Sequence, residues 1–332
     1  MRAGFVDTLR CPECRGRLAL ASEVSAGDRV VSGRLTCASC AAGWPIVRGI
    51  PRFVSSEEDY AQSFGVQWQR FRRTQIDEFN GTKESERRFE NETGWSAGDL
   101  AGRLVLDGGC GSGRFAAVAA RWGARVVAVD MAAGSAEACA QNLRELGYDG
   151  EVLQASLLRL PFGPSTFGNV FSLGVIQHTP DPGRIMRLLP ELLEPAGQIA
   201  YWIYEERWTS YLHVKNALRL ATRHLSPRFN YALSLGLTGA FFPLSLAMSS
   251  VPGLRRAASL LPVAGRHLDG LSLAAQWEWT LLDTLDWYSP AYELCQSEGE
   301  VIRALHDAGM EDVRRTPARG MAIVGRAPRA AG

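Results

Sequence analysis

The run Leu104-Val105-Leu106-Asp107-Gly108-Gly109-Cys110-Gly111-Ser112-Gly113-Arg114-Phe115, followed by Arg125-Val126-Val127-Ala128-Val129-Asp130, restricts this chain to few folds. An apolar run ending in an acid, then glycines at alternating positions, then a helical pattern predicts a buried strand that turns sharply into a helix. Its backbone is laid bare for a nucleotide-like ligand. Asp130 ends the next apolar run, 17 residues beyond Gly113. A nucleotide-binding sheet places a carboxylate there to take the two ribose hydroxyls of an adenosyl group.

Two cofactors compete for such a turn. Dinucleotides need a third glycine three residues after the second, because the pyrophosphate sits on the helix N-terminus. Here the glycines are Gly109, Gly111 and Gly113, with Asp107 ahead of them. That acid repels a pyrophosphate but can hold the ammonium of an aminoacyl group, so the pattern suits S-adenosylmethionine better than NAD.

Three further words follow in order: Val152 to Phe162, Phe167 to Pro182, and Leu193 to Tyr204. With the first, they make the chain resemble the class I S-adenosylmethionine-dependent methyltransferases. The resemblance implies cofactor contacts from Asp107, Gly109, Cys110, Gly111, Asp130, Met131, Ser156, Leu157 and Leu173. Ser156 stands where the family normally has Asp, Gly168 where an acid is common and Gln177 where a His is common; His178 matches. A serine oxygen still accepts a bond from the adenine amino group, though a neutral acceptor makes it weaker.

At 332 residues the chain has room for a full catalytic domain plus additions. Its net charge of +1 gives no whole-molecule field for nucleic acid. Residues 1–10 include Arg2, Asp7 and Arg10 and no apolar run, so a cytoplasmic location is expected. Cys11, Cys14, Cys37 and Cys40 form two Cys-X-X-Cys knuckles separated by 22 residues. Paired thiolates on tight turns supply the tetrahedral sulfur set that zinc prefers. Two disulfides or a redox dithiol pair are the competing readings, disfavoured in the cytosol. Leu9-Arg10 and Gly43 to Pro51 resemble the flanks of zinc ribbons that occur alone or fused to methyltransferases. With all four sulfurs used, the zinc is structural. Cys110 and Cys139 read as small buried fillers.

The expected fold is α/β: a Rossmann-like seven-stranded sheet with an N-terminal zinc ribbon and a helical lid insertion. The ribbon takes residues 1–54, helices covering the cofactor site 55–98, and the core 99–204 and 289–328. In the second segment, aromatic residues recur among charged ones as on amphipathic helices. Ser63 to Trp68 and Glu84 to Phe89 resemble a methyltransferase subfamily. Most of these aromatics read as packing residues, but Tyr60 and Phe64 are expected to close over the cofactor, where an aromatic face attracts a sulfonium. The core should end with a helix from Ser297 to Ala308 and strands at Glu311 to Arg315 and Met321 to Gly325.

Residues 205–288 form the insertion. Arg207, Lys215, Arg219, Arg223 and Arg228 precede a stretch without charge from Phe229 to Leu254, and Arg255, Arg256 and Arg266 follow it. Gly236, Gly239, Pro243 and Pro252 should interrupt that stretch. A single membrane span would separate strands of one sheet and is excluded. Helices buried as a lid over the site are expected; the alternative is a lid whose apolar face also meets a bilayer. Phe241 and Phe242 are the expected contacts to an apolar acceptor or to anionic lipid.

Methyl transfer needs an aligned acceptor and, for a hydroxyl or protonated amine, a base. His178, after the fourth strand, is the first candidate, its alternative role being to shape the pocket. Tyr204 is the second, with Glu205, Asp286, Trp287 and Tyr288 as acceptor contacts. The acceptor is expected to be a small molecule, a glycan or a lipid-linked compound. The competing functions are ribosomal RNA base methylation, against which stand the balanced charge and the lack of an Asn-Pro-Pro-Tyr-like word, and a non-catalytic partner subunit.

Overall fold

In the computed structural model, which describes residues 1–54, 60–206, 214–265 and 267–330, the N-terminal strands β1 (Leu18–Ala26), β2 (Arg29–Cys37), β3 (Gly43–Val47) and β4 (Ile50–Pro51) form an antiparallel sheet. Four helices follow: α1 (Gln62–Arg70), α2 (Asp77–Asn80), α3 (Glu84–Thr93) and α4 (Ala97–Leu100). Strands and helices then alternate through β5 (Leu104–Gly108), α5 (Arg114–Arg121), β6 (Arg125–Asp130), α6 (Ala133–Glu145), β7 (Gly150–Gln154), β8 (Phe167–Leu173), α7 (Pro182–Leu188) and β9 (Leu193–Ile203). The insertion contributes α8 (Val214–Thr222), α9 (Pro227–Ser249), α10 (Arg255–Ala258) and α11 (Leu273–Tyr288). The chain closes with α12 (Glu298–Asp307), β10 (Glu311–Arg315) and β11 (Met321–Arg326).

The large sheet has seven strands in the order β10-β11-β9-β8-β5-β6-β7. β5 to β9 run parallel, and β11 and β10 add antiparallel. The chain winds outward from β5 to β7, then returns to β8 on the other side of β5. That reversal opens a crevice at the carboxyl ends of the strands. The Rossmann-like fold is therefore as expected, and the closing helix starts one residue later because Ser297 is its cap, reciprocally bonded with Glu300. The Glu194-Pro195-Ala196-Gly197 turn lies inside β9. Phe167 pairs with Leu193 and Asn169 with Gln198, so Glu194 to Gly197 are absorbed as a bulge, with Ala196 at φ +59°.

The ribbon is not a free-standing module. Leu9, Leu18, Leu35, Ile46 and Phe53 share one apolar cluster with Leu106, Val127 and Leu153 of the large sheet and with Phe162 of the loop after β7. Arg10 N–H donates to Pro161 O at 2.9 Å, and Phe53 N–H to Gln154 O at 2.8 Å. The Sγ atoms of Cys11, Cys14, Cys37 and Cys40 lie within 4.8 Å of one another, with Cys11 to Cys40 at 3.6 Å and Cys14 to Cys37 at 3.4 Å. Disulfide sulfurs lie about 2.05 Å apart; a tetrahedron with metal–sulfur bonds of about 2.3 Å has edges of about 3.8 Å. Four sulfurs converging on one point fit a metal.

The insertion departs from expectation. α9 runs unbroken for 23 residues. A Cβ at Gly236 or Gly239 would meet nothing within 4 Å, and Pro243 is exposed, so the carbonyl that the proline leaves without a donor, Gly239's, is on the wet side. Nor is α9 a buried lid. Its buried positions are Asn230, Ser234, Thr238, Phe242 and Ser245, and 22% of its most apolar window is buried. Small polar side chains let α9 pack closely on α11, leaving Phe229, Leu235 and Leu244 exposed. Phe242 is a packing residue against the His267 ring, with centroids 5.5 Å apart, and Phe241 is half-buried. Arg207 and Arg266 lie outside the described residues. β9 and β11, on either side of the insertion in sequence, pair directly, so α9 does not span a bilayer.

Because ribbon and sheet share a core, Cys14→Ser should lower the stability of the whole chain in one transition, by at least about 5 °C. Calorimetry showing a separate early transition with the main one unmoved would mean that the ribbon folds by itself.

Candidate functional site

A cavity opens at the carboxyl edge of β5, β6, β8 and β9. Its floor is the turn after β5, where Gly109, Gly111 and Gly113 take φ of +92°, +53° and +86°. Side chains at these angles are strained, and space forbids them too. A Cβ on Gly109 would lie 2.3 Å from Val175, and one on Gly111 2.9 Å from the Trp68 ring. The turn is held from the next strand. Gly109 and Cys110 N–H both donate to Val129 O, at 2.8 and 3.0 Å. Asp130 Oδ2 accepts from Gly111 N–H and Oδ1 from Ala132 N–H, each at 2.9 Å.

Of the residues named from sequence, Tyr60, Phe64, Gly109, Cys110, Gly111, Asp130, Met131, Leu157, Leu173, His178, Tyr204, Asp286 and Trp287 line this cavity. Asp107 sits behind the turn, buried, its Oδ2 without a partner in the protein. Burial, and then the nearby Asp130 charge, push its carboxyl well above the usual carboxylate range. Three others are not brought to the cavity wall. Ser156 Oγ accepts from Leu158 N–H at 3.2 Å. Glu205 is held by Arg315 through contacts of 3.0 and 3.2 Å. Tyr288 is fully buried, its hydroxyl donating to Pro262 O at 3.0 Å. Glu205 thus ties the start of the insertion to β10 of the core, whereas Tyr288 ties the insertion's last helix back onto the insertion itself.

The far wall carries the chemistry. His178 is buried, and its Nδ1 lies 2.9 Å from Tyr292 O while Nε2 has no partner. A carbonyl only accepts, so Nδ1 carries the proton and Nε2 presents a lone pair. Burial lowers the His178 pKa despite the opposing charge of Asp286. Phe64 and Tyr204 rings flank the imidazole at 5.2 and 5.4 Å. The Tyr204 hydroxyl donates to Asp286 Oδ2 at 3.2 Å, and Gln67 Nε2 reaches Asp286 Oδ1 at 3.5 Å. One helical turn earlier on α11, Asp283 Oδ1 accepts from Gln75 Nε2 at 3.0 Å.

Gln67, Trp68, Gln75, Arg88, Arg114, Trp202 and Asp283 also line the cavity without having been singled out from sequence as site residues. The usable signal was on α11, where Asp283 and Asp286 stand one turn apart in a largely apolar helix.

Residues 106–201 match a family model described as "Methyltransferase domain". The chain is 34% identical over 122 residues to a ubiquinone biosynthesis O-methyltransferase of Neisseria meningitidis serogroup A, covering 35% of this chain and 50% of that protein. It is 34% identical over 102 residues to the protein of the same name from Xanthomonas euvesicatoria, covering 30% and 43%. The chain thus spans about half the length of the curated relatives it matches. Among solved structures it is similar to an S-adenosylmethionine-dependent methyltransferase from Aquifex aeolicus, with a TM-score of 0.39 and 16% identity over 74% of this chain and 88% of that one. It is also similar to the Synechocystis magnesium protoporphyrin IX methyltransferase, with a TM-score of 0.37 and 17% identity over 70% and 76%. The family match runs from β5 to β9 and contains the glycine turn, Asp130 and His178. The segment that carries the glycine floor of the cavity is thus similar to a methyltransferase domain.

An ammonium is held by Asp107 only when the carboxyl is ionised, and its pKa is raised, so S-adenosylmethionine affinity should fall as pH drops through that raised value. Asp107→Asn should abolish the pH dependence and weaken binding about tenfold or more, as should Asp130→Ala at any pH. Calorimetric titration across pH checks both; a wild-type affinity independent of pH would place the ammonium elsewhere.

Proposed function

We propose that this chain transfers a methyl group from S-adenosylmethionine to a hydroxyl of a small-molecule acceptor, with His178 as the base. The observation that carries this is the orientation of one imidazole: Nδ1 engaged by Tyr292 O, Nε2 unpartnered, in a cavity that the glycine turn also lines. The residues fit the cofactor. Side chains at Gly109 and Gly111 would close the floor, and the orphaned Asp107 Oδ2 lacks a cationic partner. In this reading Asp130 takes the ribose hydroxyls, Asp107 the ammonium, and Met131 and Leu157 flank the adenine. Tyr60 and Phe64 present ring faces toward the sulfonium. When bound, the cofactor supplies a methyl on a good leaving group.

The protein's task is then alignment and proton removal. His178 Nε2 takes the acceptor hydroxyl proton as the oxygen gains the methyl. Tyr204 is fixed by Asp286, and Gln67 and Gln75 tie α11 to the N-terminal helices, which excludes water from the acceptor. Trp202, Trp287 and Arg88 offer stacking surfaces, which suits an aromatic, glycan or lipid-linked acceptor. The names of the half-length relatives support a hydroxyl acceptor. The four-cysteine cluster holds structural zinc, one ion per chain, and the compartment that keeps such thiols reduced is the cytoplasm. Metal analysis of protein purified without chelator checks the ion; none found would overturn that assignment.

His178→Gln should lower kcat by about a hundredfold or more while S-adenosylmethionine affinity stays within a few fold. Neutral imidazole is the active form, so wild-type kcat should fall as pH drops through a His178 pKa below the usual histidine value, and the variant should lack that limb. Steady-state rates across pH decide this. An unchanged rate would leave His178 a pocket-shaping residue, and absence of cofactor binding would favour a non-catalytic partner.

A further inference from the structure

Residues 207–268 contain eight lysines and arginines and no acidic residue, in a chain whose net charge is only +1. Lys215 and Arg219 are engaged by Glu293, at 2.8 and 3.7 Å. Arg223 and Arg228 near the start of α9, and Arg255 and Arg256 just beyond its end, are exposed, and no ion pair among the described residues engages them. Between these two basic ends α9 turns its small polar residues and Phe242 inward and leaves Phe229, Leu235 and Leu244 exposed. Phe229 is 55% exposed and Leu244 48%; in the flanking segments Leu220 reaches 68% and Leu260 70%.

Such an apolar face is costly in water, and the cations at both of its ends fit anionic headgroups. We infer that α9 and the adjoining turns dock this chain on an anionic lipid bilayer, the helix lying in the interface plane. A second copy of the chain fits less well, because face-to-face pairing would oppose two acid-free basic surfaces. Spanning is excluded by the direct pairing of β9 with β11. The placement also bears on the reaction. α11 packs against α9 and carries Asp283, Asp286 and Trp287 of the cavity wall, so docking brings the acceptor side of the cavity toward the lipid. This last consequence rests on the proposed methyl transfer to an apolar or lipid-linked acceptor; the docking itself does not.

Vesicle flotation of the full chain tests it, with phosphatidylcholine vesicles compared with mixed phosphatidylcholine and phosphatidylglycerol vesicles. Wild-type protein should float with the anionic vesicles and be released by salt. Phe229→Ser with Leu244→Ser should lower partitioning about tenfold or more, and Arg228→Ala with Arg256→Ala should do so on anionic vesicles. All four positions are exposed and outside the cavity, so melting temperature and S-adenosylmethionine affinity should not move. Wild-type protein that stays with neither vesicle, or variants that float equally well, would overturn the inference. So would a wild-type dimer in lipid-free solution that Phe229→Ser with Leu244→Ser converts to monomer, since a second copy would then own the face. Flotation is read without cofactor or acceptor, so a failure of methyl transfer leaves its result standing.

Discussion

The carboxylate of Asp130 joins two turns that would otherwise be independent. One oxygen takes the N–H of Gly111, in the turn after β5, and the other takes the N–H of Ala132, in the turn after β6. Three glycines with left-handed angles have little conformational preference of their own, so their shape is imposed from the neighbouring strand. That shape sets the seat of Trp68 against Gly111 and hence of α1. α1 in turn crosses α6 so closely that a side-chain carbon on Gly134 would meet Gly65 O at 2.6 Å. The N-terminal helices are placed by the floor of the cavity they cover.

Above that floor the cavity is walled by groups whose charges oppose one another in a poor solvent. Asp107 is buried and Asp286 half-buried, and desolvation raises both carboxyl pKa values. Ionising them with no cation present is costly. A ligand carrying positive charge relieves that cost, which makes an empty site a poor resting state for the roof. The amide-to-carboxylate pairs Gln67 with Asp286 and Gln75 with Asp283 join segments more than two hundred residues apart in sequence. Closure of the site and ionisation of its acids are thereby linked.

Much of this was legible in the chain. The glycine turn, Asp130 and the alternating elements were readable because they follow local rules of period and backbone freedom, and thirteen of the named residues do line one cavity. His178 was readable as to place but not as to tautomer, since Tyr292 O, which decides it, comes from a segment more than a hundred residues later. Glu205 and Tyr288 misled because position at the rim does not reveal what a side chain finds there, and Arg315 and Pro262 O were out of local view. α9 misled for a different reason. A long uncharged segment looks buried by composition, yet which side faces inward depends on the spacing of Asn230, Ser234 and Thr238, a small polar stripe at four-residue intervals.

The two rims of the large sheet are finished in different ways. β10, at one rim, is Glu311-Asp312-Val313-Arg314-Arg315, and its charges discourage another strand from adding there. β7, at the other, is Gly150-Glu151-Val152-Leu153-Gln154, with Val152, Leu153 and Gln154 buried. It is shielded because the ribbon lays its last residues alongside, Arg52 bridging to Gln154 in parallel. A chain whose ribbon failed to form would therefore expose an apolar strand with unpaired N–H and C=O groups. Other molecules could add to it. The cysteine cluster, which does not line the cavity, thus guards the solubility of the sheet as well as its fold.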